Sequence, residues 1–391
     1  MNVALSLSGG GFRATLFHLG VIGYLRRVGI LDRVVAVCGV SGGAIIGAHL
    51  VHNWEHYTGS EDAFTKAARE VIRLTQRDVR GRILRRLPWG LFLKPIPLLK
   101  ISRCGMFERE LTRFFDGELL SSAVRNNGHN RPELFILATD LATGQSCSFS
   151  ARGFSRDGAD NAPTMETNVL KTATAVATSA SFPGFFPPQV VTPESLGITR
   201  EAWGAQQESY LTDGGVFDNL GVRKLQSLRQ RLSVDVEILS DAGATLEPRP
   251  GRFSGLVRTA LRAVDILSNR VQTLEYERVN RQDAAVSFAY AHAPGGLPGE
   301  PAVPLQRAEL NGTGTPALIP IRIKDPVRVD HAPGPSIQAV LQRVRTDLDR
   351  FSDTEIRWLV RHGGSVARQA IEHREAVLTD IDLNRGKQAP W

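Results

Sequence analysis

Apolar positions follow two patterns along the first part of the chain, and the two alternate. Val3-Ala4-Leu5-Ser6-Leu7 is a short apolar run that ends in Ser8-Gly9-Gly10-Gly11. Such a run closed by glycines reads as a buried strand meeting a loop. From Arg13 to Val28 the apolar residues Leu16, Leu19, Val21, Ile22 and Leu25 keep helical spacing. The pattern then predicts a second buried strand at Val34–Cys38. It turns helical again from Gly42 to about Trp54, with a first turn made of Gly42, Gly43 and Ala44. Strand, glycine loop, helix, strand, tight turn and helix make a βαβα start, which predicts an α/β fold with a mainly parallel sheet between helices.

Further along, strands are expected at Leu134–Thr139, Ser209–Thr212 and Val236–Ser240, and helices at Thr167–Thr178, Gly221–Arg231 and Leu256–Asn280. Residues 293–335 are rich in proline and glycine and read as an extended loop with one strand near Ile319–Ile323. The tail from Ser336 reads as helical. In it, Ser352-Asp353-Thr354-Glu355 matches a capping box, where the serine hydroxyl and the glutamate carboxylate each accept an otherwise free backbone N–H.

Composition narrows the picture. With 391 residues, 42% hydrophobic and 22% charged, the chain has enough apolar residues for a large core, and collagen, coiled coil and bulk disorder are excluded. Cys38, Cys104 and Cys147 are far apart, so neither a disulfide scaffold nor a metal site is expected, and a reducing cytoplasm is the default compartment. The first residues lack the charged and long apolar regions of a secretory signal, and no run reaches the ~18 apolar residues of a membrane span. A net charge of +7 is compatible with anionic membranes, nucleic acid or acidic ligands and does not choose among them.

One segment departs from the average. Between Val79 and Phe107 there is no Asp or Glu, while seven Arg and Lys residues, Arg85 and Arg86 among them, alternate with Trp89, Phe92 and several leucines. That mixture suits a lid that docks on a lipid headgroup boundary through Arg85, Arg86, Trp89 and Phe92. A surface loop whose apolar residues complete the core reads equally well. Nucleic-acid polymer is not expected, since the leucines would have no role.

The candidate chemistry starts at Gly39-Val40-Ser41-Gly42-Gly43, a G-x-S-x-G motif between an expected strand and an expected helix. This is the context of a nucleophile elbow, where a serine sits on a strained turn at a helix N-terminus that favours negative charge. Gly9, Gly10 and Gly11 at the end of the first strand can aim several N–H groups at one point, as an oxyanion hole requires. The same stretch, Gly9-x-Gly11-x-x-Ala14 with Asp32 further on, also approximates a dinucleotide-binding turn. A serine nucleophile needs a base, and no histidine stands in a telling loop. His49, His52 and His56 read as a partly exposed helix face, and His331, His362 and His373 as surface residues. Asp213, in Thr212-Asp213-Gly214-Gly215, is the better candidate, because two glycines let its carboxylate approach another loop closely. The bland use of Asp-Gly is a turn.

The order of glycine loop with Arg13, G-x-S-x-G and Asp-Gly-Gly resembles the patatin-like phospholipases, and Ser8–Ala14 is also similar to the catalytic domain of cytosolic phospholipases A. Ala177-Thr178-Ser179-Ala180-Ser181-Phe182-Pro183 and Ala138–Gly144 carry the likeness further, from about Val3 to Val222. The resemblance implies a three-layer, modified α/β-hydrolase fold with a helical C-terminal extension. It divides the chain into a catalytic core over 1–224, with the basic insertion at 79–107, and a completing region over 225–391. It implies a lipid acyl hydrolase with Ser41 as nucleophile, Asp213 as proton acceptor and Gly9, Gly10, Gly11 and Gly42 around the oxyanion. Arg13 is expected to support the loop or meet lipid phosphate. Membrane phospholipids or other acyl-ester lipids are the implied partners, met by peripheral contact, and no cofactor is required. Three alternatives stay open: a dinucleotide-binding oxidoreductase, a catalytically silent membrane-binding scaffold, and a hydrolase switched on by a nucleotide. Many patatins carry glycine after the motif arginine, where this chain has Ala14.

Overall fold

The computed structural model describes residues 1–79, 81, 103–123, 131–156, 163–183, 185–243, 255–291, 316–327, 334–343, 348–374 and 378. Arg85, Arg86, Trp89 and Phe92 of the expected docking surface, most of the 293–335 loop and His331 lie outside the described residues.

Ten strands share one sheet. They are β1 (Val3–Leu7), β2 (Val34–Gly39), β3 (Glu133–Asp140), β4 (Gln145–Ser150), β5 (Gly153–Arg156), β6 (Met165–Glu166), β7 (Gln189–Val191), β8 (Ser209–Asp213), β9 (Val236–Asp241) and β10 (Ala317–Arg322). The main path runs β10-β9-β1-β2-β3-β4-β5-β6. Pairings from β10 to β3 are parallel, and those beyond β3 are antiparallel. The sheet therefore continues past residue 224, which itself falls inside the helix Val222–Leu228.

Parallel strands buried on both faces need apolar side chains on both, and these have them. Val3, Leu5 and Leu7 of β1, Leu134 and Ile136 of β3, and Ile319 and Ile321 of β10 enter one core with α1 (Gly11–Arg27), α2 (Gly42–His52) and the helix Asp353–Glu372. Ala4, Ala36, Cys38, Phe135 and Leu137 face the other way, onto Leu225 and Leu228. Beside them Leu239 and Leu318 meet Tyr276 of the long helix Leu256–Ala291. The result is a three-layer α/β fold. Each fully buried Leu, Ile or Val adds ~1.5–3 kcal/mol.

The C-terminal helix starts with the expected capping box at Ser352 and Glu355. It crosses α1 at very close range. A Cβ on Gly20 would lie 1.9 Å from the Val360 carbonyl oxygen, and one on Gly363 would lie 2.1 Å from that of Phe17.

Several expectations are corrected by tertiary context. The helix expected at Thr167–Thr178 is Thr172–Ser179, because the backbone before it is extended: Met165–Glu166 forms β6, and the Leu170 carbonyl accepts the Leu120 N–H. The helix from Leu256 runs on to Ala291. His49 and His362 are interior residues, at 2% and 0% exposure. His49 bonds the Tyr57 hydroxyl at 2.9 Å and stacks on Phe114, and His362 bonds the Ile323 carbonyl at 2.9 Å. The His52 side chain is buried as well, between Glu118 at 2.6 Å and Thr172 at 2.8 Å. His56 and His373 are exposed.

Candidate active site

One edge of β3 is shared by two strands arriving from opposite directions. β2 pairs with its first half and stops with Gly39 beside Ile136. β8 runs antiparallel along its second half and stops with Asp213 beside Ala138. Only Leu137 separates the two partners on β3, so the chain leaving β2 and the chain leaving β8 turn away from the sheet at the same place. That register brings Ser41, two residues past Gly39, next to Asp213. Their distance of 172 positions in sequence is closed by sheet pairing alone.

Ser41 caps α2 with φ 52° and ψ −116°. It is one of three non-glycine residues at positive φ among the described residues. Holding a side chain there costs ~1–3 kcal/mol, which the surroundings must offset. The turn is tight enough that its glycines are obligatory: a Cβ on Gly42 would lie 2.0 Å from the Gly11 carbonyl oxygen. The Ser41 N–H donates to the Ser179 hydroxyl oxygen at 2.9 Å.

Asp213 is 3% exposed. One carboxylate oxygen accepts the Gly215 N–H at 2.7 Å. Burial pushes its pKa up to about 7, against the lowering effect of that bond and of the Ser41 side chain. A carboxylate so placed can take a proton near neutral pH, which an exposed one does poorly. Since its proton is held more tightly in the folded state, Asp213 lowers stability as pH rises from 3.8 through about 7.

The glycine loop lies across the same edge. Gly10 and Gly11 have φ of 143° and 58°, and α1 begins at Gly11. Among the described residues, the backbone N–H groups of Gly10, Gly11 and Gly42 meet no protein acceptor. Two helix N-termini thus present donors beside Ser41, an arrangement suited to a developing oxyanion. Gly9 differs from the expectation. Its N–H donates to the Asn219 carbonyl at 3.2 Å, so it anchors the loop instead of offering a free donor.

Arg13 is 1% exposed and donates to the Ala242 carbonyl at 2.6 Å. Desolvation lowers its pKa to about 10, opposed by Asp241. Of the two expected roles, this buried position favours support of the loop. Two residues that sequence reasoning passed over brace the same loop. His18 bonds Ser240 Oγ at 2.7 Å and the Ser8 carbonyl at 3.0 Å, and burial first, with Arg13 adding, lowers its pKa to about 4. The Ser8 hydroxyl accepts the Ala242 N–H at 2.8 Å. No local sequence signal marks either one, since their partners come from the far strand β9.

Asp32, the acid of the dinucleotide pattern, lies in the 3-10 turn Leu31–Arg33 that precedes β2. It stands at the opposite edge of the sheet from the glycine loop, whereas a ribose-binding acid must lie at the same edge. Among the described residues no cluster of His, Cys, Asp and Glu could hold a metal ion, and no helix is long and apolar enough to cross a membrane.

Comparison with known proteins gives a family and a fold. A family model described as patatin-like phospholipase matches residues 5–225. No curated protein sequence matches the chain. Among solved structures, human GIVD cytosolic phospholipase A2 aligns over 98% of this chain with a TM-score of 0.55 at 14% identity. The same human protein in complex with methyl gamma-linolenyl fluorophosphonate and terbium chloride aligns over 99% with a TM-score of 0.53 at 13% identity. The chain spans 60% of the length of these structures, and at such identity the likeness is one of fold.

Proposed function

Because the chain belongs to the patatin-like phospholipase family, we propose that it hydrolyses fatty acyl esters of membrane lipids, as a phospholipase A or lysophospholipase, through Ser41 and Asp213. One observation carries this reading: a serine on a strained strand-to-helix turn is brought by the sheet register beside a buried aspartate whose pKa is raised to about 7. In this mechanism Ser41 Oγ attacks the ester carbonyl carbon while Asp213 accepts the hydroxyl proton. The N–H groups of Gly10, Gly11 and Gly42 bind the oxyanion. As the tetrahedral intermediate collapses, Asp213 gives the proton to the departing alcohol, and the acyl group stays on Ser41. A water molecule then passes a proton to Asp213 and attacks the acyl carbon. Release of the fatty acid returns the proton to Ser41.

Residues 1–224 would carry this chemistry, and 225–391 would complete the sheet and support the glycine loop. Contact with lipid would be peripheral, with the basic and apolar stretch over 79–107 as the proposed docking surface. The dinucleotide alternative loses support from the position of Asp32.

The test is mass-spectrometric profiling of phospholipid vesicles incubated with the wild type and with Ser41→Ala. Free fatty acid and lysophospholipid are expected with the wild type alone. No acyl product from the wild type, or the same products from both proteins, would overturn the proposal.

A further inference from the structure

The strained turn at Ser41 raises the question of what holds it. The glycines around it allow the conformation but do not select it. A direct tie comes from the helix Thr172–Ser179, whose last residue accepts the Ser41 N–H on its hydroxyl oxygen at 2.9 Å. Ser179 is fully buried. The helix is buried along most of its length and is built of small residues, Ala173, Ala175 and Ala177 among them. Its other end is tied too, through Thr172 to His52 at the C-terminal end of α2.

The chain segment that holds Ser41 through Ser179 also holds the aspartate. The Asp213 N–H donates to the Ser181 carbonyl at 3.2 Å, and the Gly214 N–H approaches the Ser179 carbonyl at 3.4 Å. The Thr212 hydroxyl donates to the Ser181 carbonyl at 2.7 Å. Residues 179–181 thus form one clamp with a side-chain arm on Ser41 and backbone arms on residues 212–214. Of these arms the Ser179 hydroxyl is the one that reaches Ser41 and can be removed by substitution without touching the backbone.

We infer that Ser179 is a positioning residue, which sets the orientation of the Ser41 side chain toward Asp213 by holding the Ser41 N–H. A consequence follows for the oxyanion. The Ser41 N–H is occupied, so the donors near the reacting carbonyl are those of Gly10, Gly11 and Gly42. Ser179 itself touches neither substrate nor the transferred proton.

The inference rests on the proposed hydrolase reading, and the experiment separates the two. An alkyl fluorophosphonate phosphonylates an activated serine hydroxyl with loss of fluoride, and its rate on intact protein is read by mass spectrometry. Wild type, Ser179→Ala and Ser179→Thr are compared in labelling rate, in kcat and KM on a short soluble ester, and in melting temperature. Ser179→Ala is expected to lose about 10- to 100-fold in both labelling rate and kcat, with KM changed less than about twofold and little change in melting temperature. Ser179→Thr, which keeps the hydroxyl, is expected to recover most of the loss. If Ser179→Ala labels at the wild-type rate, if the threonine variant is no better than alanine, or if the loss merely follows a fall in melting temperature, the positioning role is wrong. A wild type that never labels at Ser41 would instead overturn the hydrolase reading.

Discussion

Asp213 and Asp218 stand five residues apart, are equally buried at 3% exposure, and both have pKa values raised mainly by desolvation. They differ in what their oxygens hold. Asp218 accepts the N–H groups of Leu220 at 3.0 Å and Gly221 at 2.9 Å on one oxygen, and that of Arg223 at 3.0 Å on the other. All three donors are backbone, so its carboxylate fixes the path of the chain from β8 into the helix Val222–Leu228. Asp213 accepts one backbone N–H, from Gly215, and otherwise feels the Ser41 side chain, which favours its charged form. Burial alone therefore does not make a base. A buried carboxylate whose oxygens are all committed to backbone is a structural part, and one that shares its proton-accepting capacity with a hydroxyl can do chemistry.

That contrast can be broken at either end. The largest effect is expected at Asp213. Asp213→Asn keeps the shape and an acceptor for the Gly215 N–H but cannot accept the Ser41 proton. Ester turnover should fall by roughly 10⁴-fold or more, as for members of a cooperating catalytic unit. The same variant should melt no lower than the wild type near about pH 8, because a buried carboxylate has been removed. Next comes the oxyanion loop. Gly11→Ala strains a position at φ 58° and tilts its N–H. Turnover should drop about 10²- to 10³-fold, with binding of a non-reactive lipid analogue changed much less. The smallest effect on chemistry is expected at Asp218. Asp218→Ala leaves three buried N–H groups without their acceptor and should cost about 3 kcal/mol in chemical denaturation. In the fraction that remains folded, turnover should stay within an order of magnitude of the wild type. Equal catalytic loss in the Asp213 and Asp218 variants, at equal stability, would erase the distinction between them.

How much of this is legible in sequence depends on the range of the forces involved. β1, α1, β2 and α2 can be read because doubly covered strands are uniformly apolar and their glycine turns are local. Ser41 and Asp213 stand out for the same reason, each within a short run of glycines. The antiparallel end of the sheet is harder. β4, Gln-Ser-Cys-Ser-Phe-Ser, alternates polar and apolar positions but with only two apolar residues among serines, and β6 is two residues long, so the first signal is weak and the second has no period. The helix Glu61–Thr75 did have a signal, in Ser60 followed by Phe64, Ala67, Val71 and Leu74, and is absent from the expected elements. Ser179 and His18 have no local mark, because their roles are set by partners far along the chain, Ser41 and Ser240. The burial of His362 has the same origin, since its partner Ile323 lies just beyond β10.

The central claim is that Asp213 acts as the base for Ser41, and the pH dependence of fluorophosphonate labelling, mapped to the modified peptide, tests it most directly. On this claim ionised Asp213 is the active form, and its pKa is raised to about 7. Labelling confined to Ser41 should therefore rise about tenfold per unit at pH values below that and level off above it. A rate that stays flat between about pH 5 and about pH 9, or an adduct on a residue other than Ser41, would contradict the account.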